Sequence, residues 1–457
     1  MDFCSIFFLV CFFPLLLLVF YLVPVKYRNA VILAGSLTAY GIQCTKWLPA
    51  LLLLILWNYF LYRSPMGKRR KKALVLATNL AVLVLSKLSE EGMPGVSFLV
   101  FTVMAFQLDF INKICKKKKV LSLIDFGAYL SFFPKLLSGP ITRYDQFRKG
   151  RFFGRESVRQ MLCQMEWGLC LFIIGLFYKV GLADSLAGLW NEAVTIGLEN
   201  ISTPLAWLSM FAYSLELYFD FQGYSMMAIG LAGMMGIELP NNFLTPYAAV
   251  TVSDFFRRWH MTLGQWFRDY VYIPLGGNRK GRHRTIGNLA IVWLLTGLWH
   301  GTDWNYLIWA GILLFFIVME RIFLRRMMER IRPIGHLYLW LVIPVSWMAF
   351  AIREPAAILR FYATLVGQMG TAARMDDVRI VALKYLPIML VSFILTLPAR
   401  KRRSNVECLQ DHIPWIEKWI CEKPGSVTRI LLLLLLFWWA VYRLAVGTVN
   451  PFLYFSF

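Results

Sequence analysis

The chain has 457 residues, 58% of them hydrophobic and only 16% charged, with a formal net charge of +22. A soluble domain carries about 25% charged residues, and the apolar excess here recurs along the whole length, which excludes an appended soluble catalytic domain. The positive charge sits in short clusters beside apolar runs, with no nucleic-acid-binding module around them, so it speaks for membrane topology and against nucleic acid as a partner.

Residues 3–25 contain no charge, and about 20 mainly apolar residues suffice for one membrane-spanning helix. Met1-Asp2 ahead of them is acidic rather than basic, and no small-residue cleavage site follows. The segment therefore reads as a retained first helix, not a secretion signal. Further uncharged runs cover residues 29–45, 47–62, 92–108, 221–237, 286–302, 304–319 and 333–352. With the shorter apolar stretches they predict an all-α, polytopic membrane protein of about 11 to 13 helical segments, some too short to cross fully. No long polar linker or internal repeat interrupts residues 1–457, which are expected to form a single domain in the lipid bilayer. Basic loops at 68–72, 116–119, 321–332 and 400–403 are expected to face the cytoplasm and to attract anionic headgroups. The eight cysteines show no CxxC pair and lie mostly in or beside apolar runs. They are expected to be small buried hydrophobes, with neither a disulfide framework nor a metal site.

Residues 240–285 break the pattern. Ser253 can cap a helix beginning near Asp254, and aromatics at 255, 256, 259, 266, 267, 270 and 272 alternate with Arg257, Arg258, Arg268 and Asp269. That mixture favours the membrane interface, so an interfacial or re-entrant helix is expected, ended by Pro274 and Gly276-Gly277. Only five histidines occur. His283 and His412 lie in polar stretches and His336 at a helix start, whereas His300 lies inside the uncharged run 286–302. An ionisable group within a membrane is a functional candidate by default, although a neutral imidazole hydrogen-bonded inside a helix bundle is an equally ordinary reading. His260, in the aromatic segment, has the same two readings. Asp109, Lys135, Lys179, Asp184, Glu216, Asp220 and Asp303 also interrupt apolar stretches. Glu216 and Asp220 share a helix face and are expected to bond backbone ends or the arginines of 257–268.

Four blocks then become recognisable. Tyr218-Phe-Asp-Phe-Gln-Gly-Tyr-Ser-Met-Met-Ala-Ile-Gly230, Asp254-Phe-Phe-Arg-Arg-Trp-His-Met-Thr-Leu263, Trp266-Phe-Arg-Asp-Tyr-Val-Tyr-Ile-Pro-Leu-Gly-Gly-Asn-Arg279 and Gly297-Leu-Trp-His-Gly301 follow one another in order, preceded by Ser131-Phe-Phe-Pro-Lys-Leu-Leu-Ser-Gly-Pro-Ile-Thr-Arg143. They resemble the membrane-bound O-acyltransferase family in its bacterial alginate O-acetylase branch. The likeness spans about residues 130 to 310, while the first 120 match in hydropathy only. It implies re-entrant or interfacial helices around a central funnel, with His300 as the catalytic histidine and His260 as the second polar position of the tunnel. Asp220, Tyr224, Asp254, Arg257, Arg258, Trp259 and Trp299 are implied as supporting tunnel residues. Gln222 and Met226 depart from the family's usual Ser and Asp, and Tyr178 stands where many relatives have Lys.

The C-terminal run 451–457 contains Phe452-Leu-Tyr454-Phe-Ser-Phe457, which resembles a C-terminal motif of envelope-acylating systems in which the tyrosine is the proposed acyl carrier. An aromatic anchor at the membrane interface is the plain alternative. If the basic cluster 400–403 is cytoplasmic, one further helix brings this run to the outer face. Taken together, the resemblance implies an acyl group, acetyl from acetyl-CoA, leaving a cytoplasmic thioester without any tightly bound cofactor. It crosses a bacterial cytoplasmic membrane and is passed by an outer SGNH-like partner to a cell-envelope or extracellular polysaccharide. D-alanyl transfer to teichoic acid by a related enzyme, and non-catalytic transport of an acylated carrier, are the competing readings.

Overall fold

The computed structural model describes residues 3–89, 91–112, 120–149, 158–371, 375–398, 427–447 and 450–453. Among them the regular structure is helical, with no strand. Among the described residues, six helices are long and apolar enough to cross a membrane: Thr45–Arg63, Val158–Ile196, Trp304–Arg330, Arg332–Ala351, Val378–Thr396 and Val427–Ala445, with Phe8–Leu22 and Val96–Ile111 as shorter apolar helices. The protein is thus an all-α, multi-pass membrane protein, and several apolar runs form helices too short to cross alone. The basic clusters described are helical rather than looped: residues 68–72 open the helix Lys68–Leu88, and residues 321–330 continue the span that begins at Trp304. The clusters at 116–119 and 400–403, and His412, lie outside the described residues.

Two compact units make up the chain. The first comprises Met1–Leu176, Tyr224–Asn241 and Val427–Thr448, and the second Phe177–Gly223, Asn242–Ser426 and Val449–Phe457. In the first unit, the apolar run on Val96–Ile111 is buried on nearly every face. Its polar member Gln107 donates to the Asn58 carbonyl at 2.8 Å, and Asn58 exchanges side-chain amide bonds with Asn79 at 3.2 and 2.9 Å. Such pairs join helices where lipid offers no alternative partner. Gly168 and Gly230 let two backbones touch, since a Cβ on Gly168 would come within 2.6 Å of the Gly230 carbonyl. Arg429 of the last span is buried and pairs with Glu166 at 2.9 Å.

In the second unit, five helices position the site. We label them α1 (Val252–Arg258), α2 (Met261–Phe267), α3 (Arg282–His300), α4 (Trp304–Met319) and α5 (Arg332–Ala351). The close fit of α3 on α4 is built into the Gly-Leu-Trp-His-Gly run. A Cβ at Gly297 would crowd the Tyr306 carbonyl at 3.0 Å and Ala310 at 3.2 Å, and one at Gly301 would overlap the Tyr306 ring. Two glycines four apart open one helix face to a neighbouring backbone. They hold the histidine between them close to the partner helix.

Candidate functional site

The segment 251–267 folds as two short helices with a break at His260, where a single helix was expected. Thr251, not Ser253, is the N-cap of α1, its hydroxyl accepting from the Asp254 N–H at 3.1 Å. Ser253 instead donates its hydroxyl to Glu320 at 2.6 Å. No glycine or proline marks the break. It arises because residues 242–244 run alongside and take both exposed ends: Leu244 N–H donates to the Arg258 carbonyl at 2.9 Å, and Met261 N–H donates to the Asn242 carbonyl at 2.9 Å. His260 adopts φ 44° as a result. That left-handed conformation is uncommon outside glycine, though His is among the residues that tolerate it.

Asn242 also sets the state of the ring. Its side-chain oxygen accepts from the Thr262 hydroxyl at 2.9 Å and the Thr262 N–H at 3.4 Å, and lies 3.0 Å from His260 Nδ1. A backbone N–H can only donate, so the shared atom is the amide oxygen, and Nδ1 must carry the proton. The lone pair then resides on Nε2. Burial pushes the His260 pKa down to about 3, so this imidazole, outside all six spans, is neutral at physiological pH.

His300, the last residue of α3, is also buried. Its ring meets Trp309 edge to face at 5.2 Å and Phe350 at 5.0 Å, and Trp299 at 4.6 Å. The Trp299 ring is 6.1 Å from that of His260 as well, bringing both histidines against one indole. Phe350 is held in place by its own carbonyl, which accepts from Asn305 at 2.8 Å. His260 and His300 line one cavity of about 270 Å³, walled by Trp259, Trp293, Trp309 and Trp347. No carboxylate is among its described lining residues. Arg268 joins that lining while its side chain is largely solvent-exposed and paired with Asp269 at 2.9 Å. The buried Trp309 indole N–H has no hydrogen-bond partner among the described residues. The cavity therefore offers two imidazoles and an uncommitted donor in apolar surroundings, where electrostatic interactions are stronger than in water. That set suits proton transfer from a hydroxyl and stabilisation of a developing oxyanion.

The other residues named from sequence are dispersed. Trp259 lines the cavity. Asp254 and Arg258 form an ion pair at 2.9 Å, both partly exposed, and Arg257 is exposed; none of the three lines the cavity. Tyr224 belongs to the first unit, stacked on Phe3 at 5.0 Å. Asp220 pairs with Lys179 at 2.7 Å and accepts from the Leu453 N–H at 3.0 Å, so its cation is Lys179 instead of an arginine of 257–268. Tyr454 lies outside the described residues.

Two positioning residues escaped the sequence reading. One is Asn242. The other is Glu320, almost fully buried, whose carboxylate accepts from the N–H groups of Val252 and Ser253, the Ser253 hydroxyl and, at 3.1 Å, the Tyr338 hydroxyl. It thereby caps the α1 N-terminus, where backbone donors are unsatisfied and negative charge is favoured. The apolar run ending at Met319 gives only a faint signal: one carboxylate ahead of a basic cluster, its α1 partners Val252 and Ser253 68 and 67 residues away. Glu320→Ala should destabilise the protein by on the order of 3 kcal/mol, read as earlier thermal unfolding in detergent.

The model of the membrane-bound O-acyltransferase family matches residues 10–352. The chain is 31% identical to the probable alginate O-acetylase AlgI of Pseudomonas putida, over the full length of both. It is 33% identical to the peptidoglycan O-acetyltransferase of Helicobacter pylori over 54% of this chain and 48% of that protein. It is 29% identical to the teichoic acid D-alanyltransferase of Lacticaseibacillus rhamnosus, covering 56% and 69% respectively.

Proposed function

The chain belongs to the membrane-bound O-acyltransferase family and is an O-acyltransferase, and from that premise we propose that it moves an acetyl group from acetyl-CoA, on the cytoplasmic side, outward for O-acetylation of a cell-envelope or extracellular polysaccharide. The observation that carries the reading is the pair of histidines on one apolar cavity with no carboxylate among its described lining residues. His300 takes the proton of the attacking hydroxyl, a task that suits an imidazole, whose unperturbed pKa is about 6.5. His260, its Nε2 lone pair set by Asn242, accepts a hydrogen bond from the incoming group. The Trp309 N–H donates to the oxyanion as the thioester carbonyl is attacked, and the thiolate leaves with the proton His300 has taken. Arg268 attracts the donor's phosphates at the exposed side of the cavity.

The attacking hydroxyl is that of Tyr454. A phenol with pKa about 10 lies close to a thiol at about 8.5, so an aryl ester retains most of the thioester's transfer potential. In a bacterial cytoplasmic membrane with basic residues 400–403 inside, the span Val427–Ala445 carries Tyr454 outward. There an SGNH-like partner accepts the acyl group and esterifies the polymer. Acetyl is favoured over D-alanyl because the likeness to the alginate O-acetylase covers both chains in full, whereas that to the D-alanyltransferase covers 56% of this one.

Purified protein in proteoliposomes tests this directly. Acetyl-CoA should be consumed with release of free CoA, while a D-alanyl carrier-protein thioester should be inert. The reverse preference would establish the D-alanyl reading, and transport without thioester cleavage would remove the chemistry. Trp309→Phe, which keeps the ring and removes the donor, should lower kcat on the order of 100-fold with little change in KM for the donor. An unchanged kcat takes the indole out of the mechanism.

A further inference from the structure

The most costly side chains of the second unit sit away from the cavity. Lys179 is almost completely buried, its Nζ 2.8 Å from Asp184 and 2.7 Å from Asp220, with all three side chains at most 2% exposed. None of the three lines the cavity. Burying ions is often no better than neutral for stability compared with apolar packing, so the cluster calls for another reason.

Its occupant supplies one. The C-terminal segment of the same chain lies against it as irregular backbone, which inside a membrane protein must find partners for its polar groups. Asp220 accepts the Leu453 N–H at 3.0 Å through the oxygen that does not face Lys179. Lys179 approaches the Pro451 carbonyl at 3.4 Å and stands 4.8 Å from the centre of the Phe452 ring, which is itself buried. The anion meets the donor of the tail and the cation meets its acceptor and its aromatic face. Pro451 itself has no N–H to satisfy. Asp184 also meets the Lys179 ammonium, which is thus held between two carboxylates.

We propose that Lys179, Asp184 and Asp220 form a binding site for the C-terminal segment of this chain, a latch on the backbone of residues 451–453. Tyr454 is the next residue, its Cα about 3.8 Å from that of Leu453. The latch therefore restricts the position from which that phenol can work. This last consequence rests on the carrier role of Tyr454, whereas the latch itself does not. Lys179 and Asp220 are positioning residues on this account, and they leave the donor cavity untouched.

Hydrogen–deuterium exchange of the full-length protein, followed on C-terminal peptides, is the test. A charge-assisted hydrogen bond is equivalent to about 10- to 100-fold in a local opening equilibrium. Lys179→Met and Asp220→Leu should speed exchange at the Leu453 amide by that factor while α3 and α4 exchange as in the wild type. Unchanged exchange at Leu453, or acceleration spread evenly over the second unit, overturns the latch. Should either helix variant fail to fold, Phe452→Ala changes only the tail, and it should speed the same amide about 10-fold; no change there overturns the proposal equally. Tyr454→Phe serves as the separating control. It should leave Leu453 protected, so a carrier role that fails by activity leaves the latch standing, and a latch that fails by exchange leaves the carrier role to its own test.

Discussion

Replacing His300 with alanine should lower acyl transfer by about 1,000-fold or more, with the protein still inserted in the membrane at wild-type abundance. The size of the effect follows from the surroundings of the ring. General-base catalysis contributes about 10²- to 10⁴-fold, and no carboxylate among the described lining residues of the cavity stands ready to substitute. His260 is a poor replacement, because burial has pushed its pKa down to about 3 and its Nδ1 proton is engaged by Asn242. The fold should tolerate the change. The α3–α4 contact beside His300 is made through Gly297 and Gly301, and the aromatic wall of Trp299, Trp309 and Phe350 remains. Activity of polymer acylation in cells, normalised to membrane-inserted protein, is the measurement. Unchanged acylation would remove His300 from the chemistry.

Tyr454→Phe carries the second large expectation. Loss of one oxygen leaves the aromatic character of the C-terminal run intact, so an interfacial anchor should work as before. A carrier cannot. Polymer acylation should fall to background, and mass spectrometry of the C-terminal peptide should show an acyl group in the wild type and none in the variant. Normal acylation by Tyr454→Phe would return the residue to the role of anchor. The two variants also separate the steps: His300→Ala should leave Tyr454 unmodified, whereas Tyr454→Phe leaves the donor cavity as built.

Much of this was legible in the order of the residues, and the limits have physical causes. Hydropathy reveals spans because lipid imposes the same demand on every one of them. It does not reveal which spans fall short, since Val96–Ile111 is as apolar as its neighbours but only 16 residues long. The two histidines stood out as ionisable groups in apolar or aromatic segments, and both line one cavity. Asp254, Arg257 and Arg258, adjacent to His260 in the most recognisable block, do not line it, whereas Phe256 and Trp259 of the same segment do. Sequence neighbours share a site only when the local backbone keeps them on one face.

What stayed hidden depends on contacts distant along the chain. Thr251 displaced Ser253 as the α1 cap because Glu320, 67 residues away, claims the serine. The break at His260 has no glycine or proline to announce it and depends on a strand of chain near Asn242. Lys179 and Pro451 are separated by 272 residues. Periodicity and composition carry no information about such pairs, because both read only the residues within a short window of chain.

The central claim is that His300 drives transfer of an acyl group out of a thioester in the cavity it shares with His260. The most direct test follows label from acetyl-CoA, radioactive in the acetyl group, in proteoliposomes holding either the wild type or His300→Ala. The account predicts protein-bound or polymer-bound label with the wild type, and label that remains on CoA with the variant. Equal transfer by both proteins would contradict it.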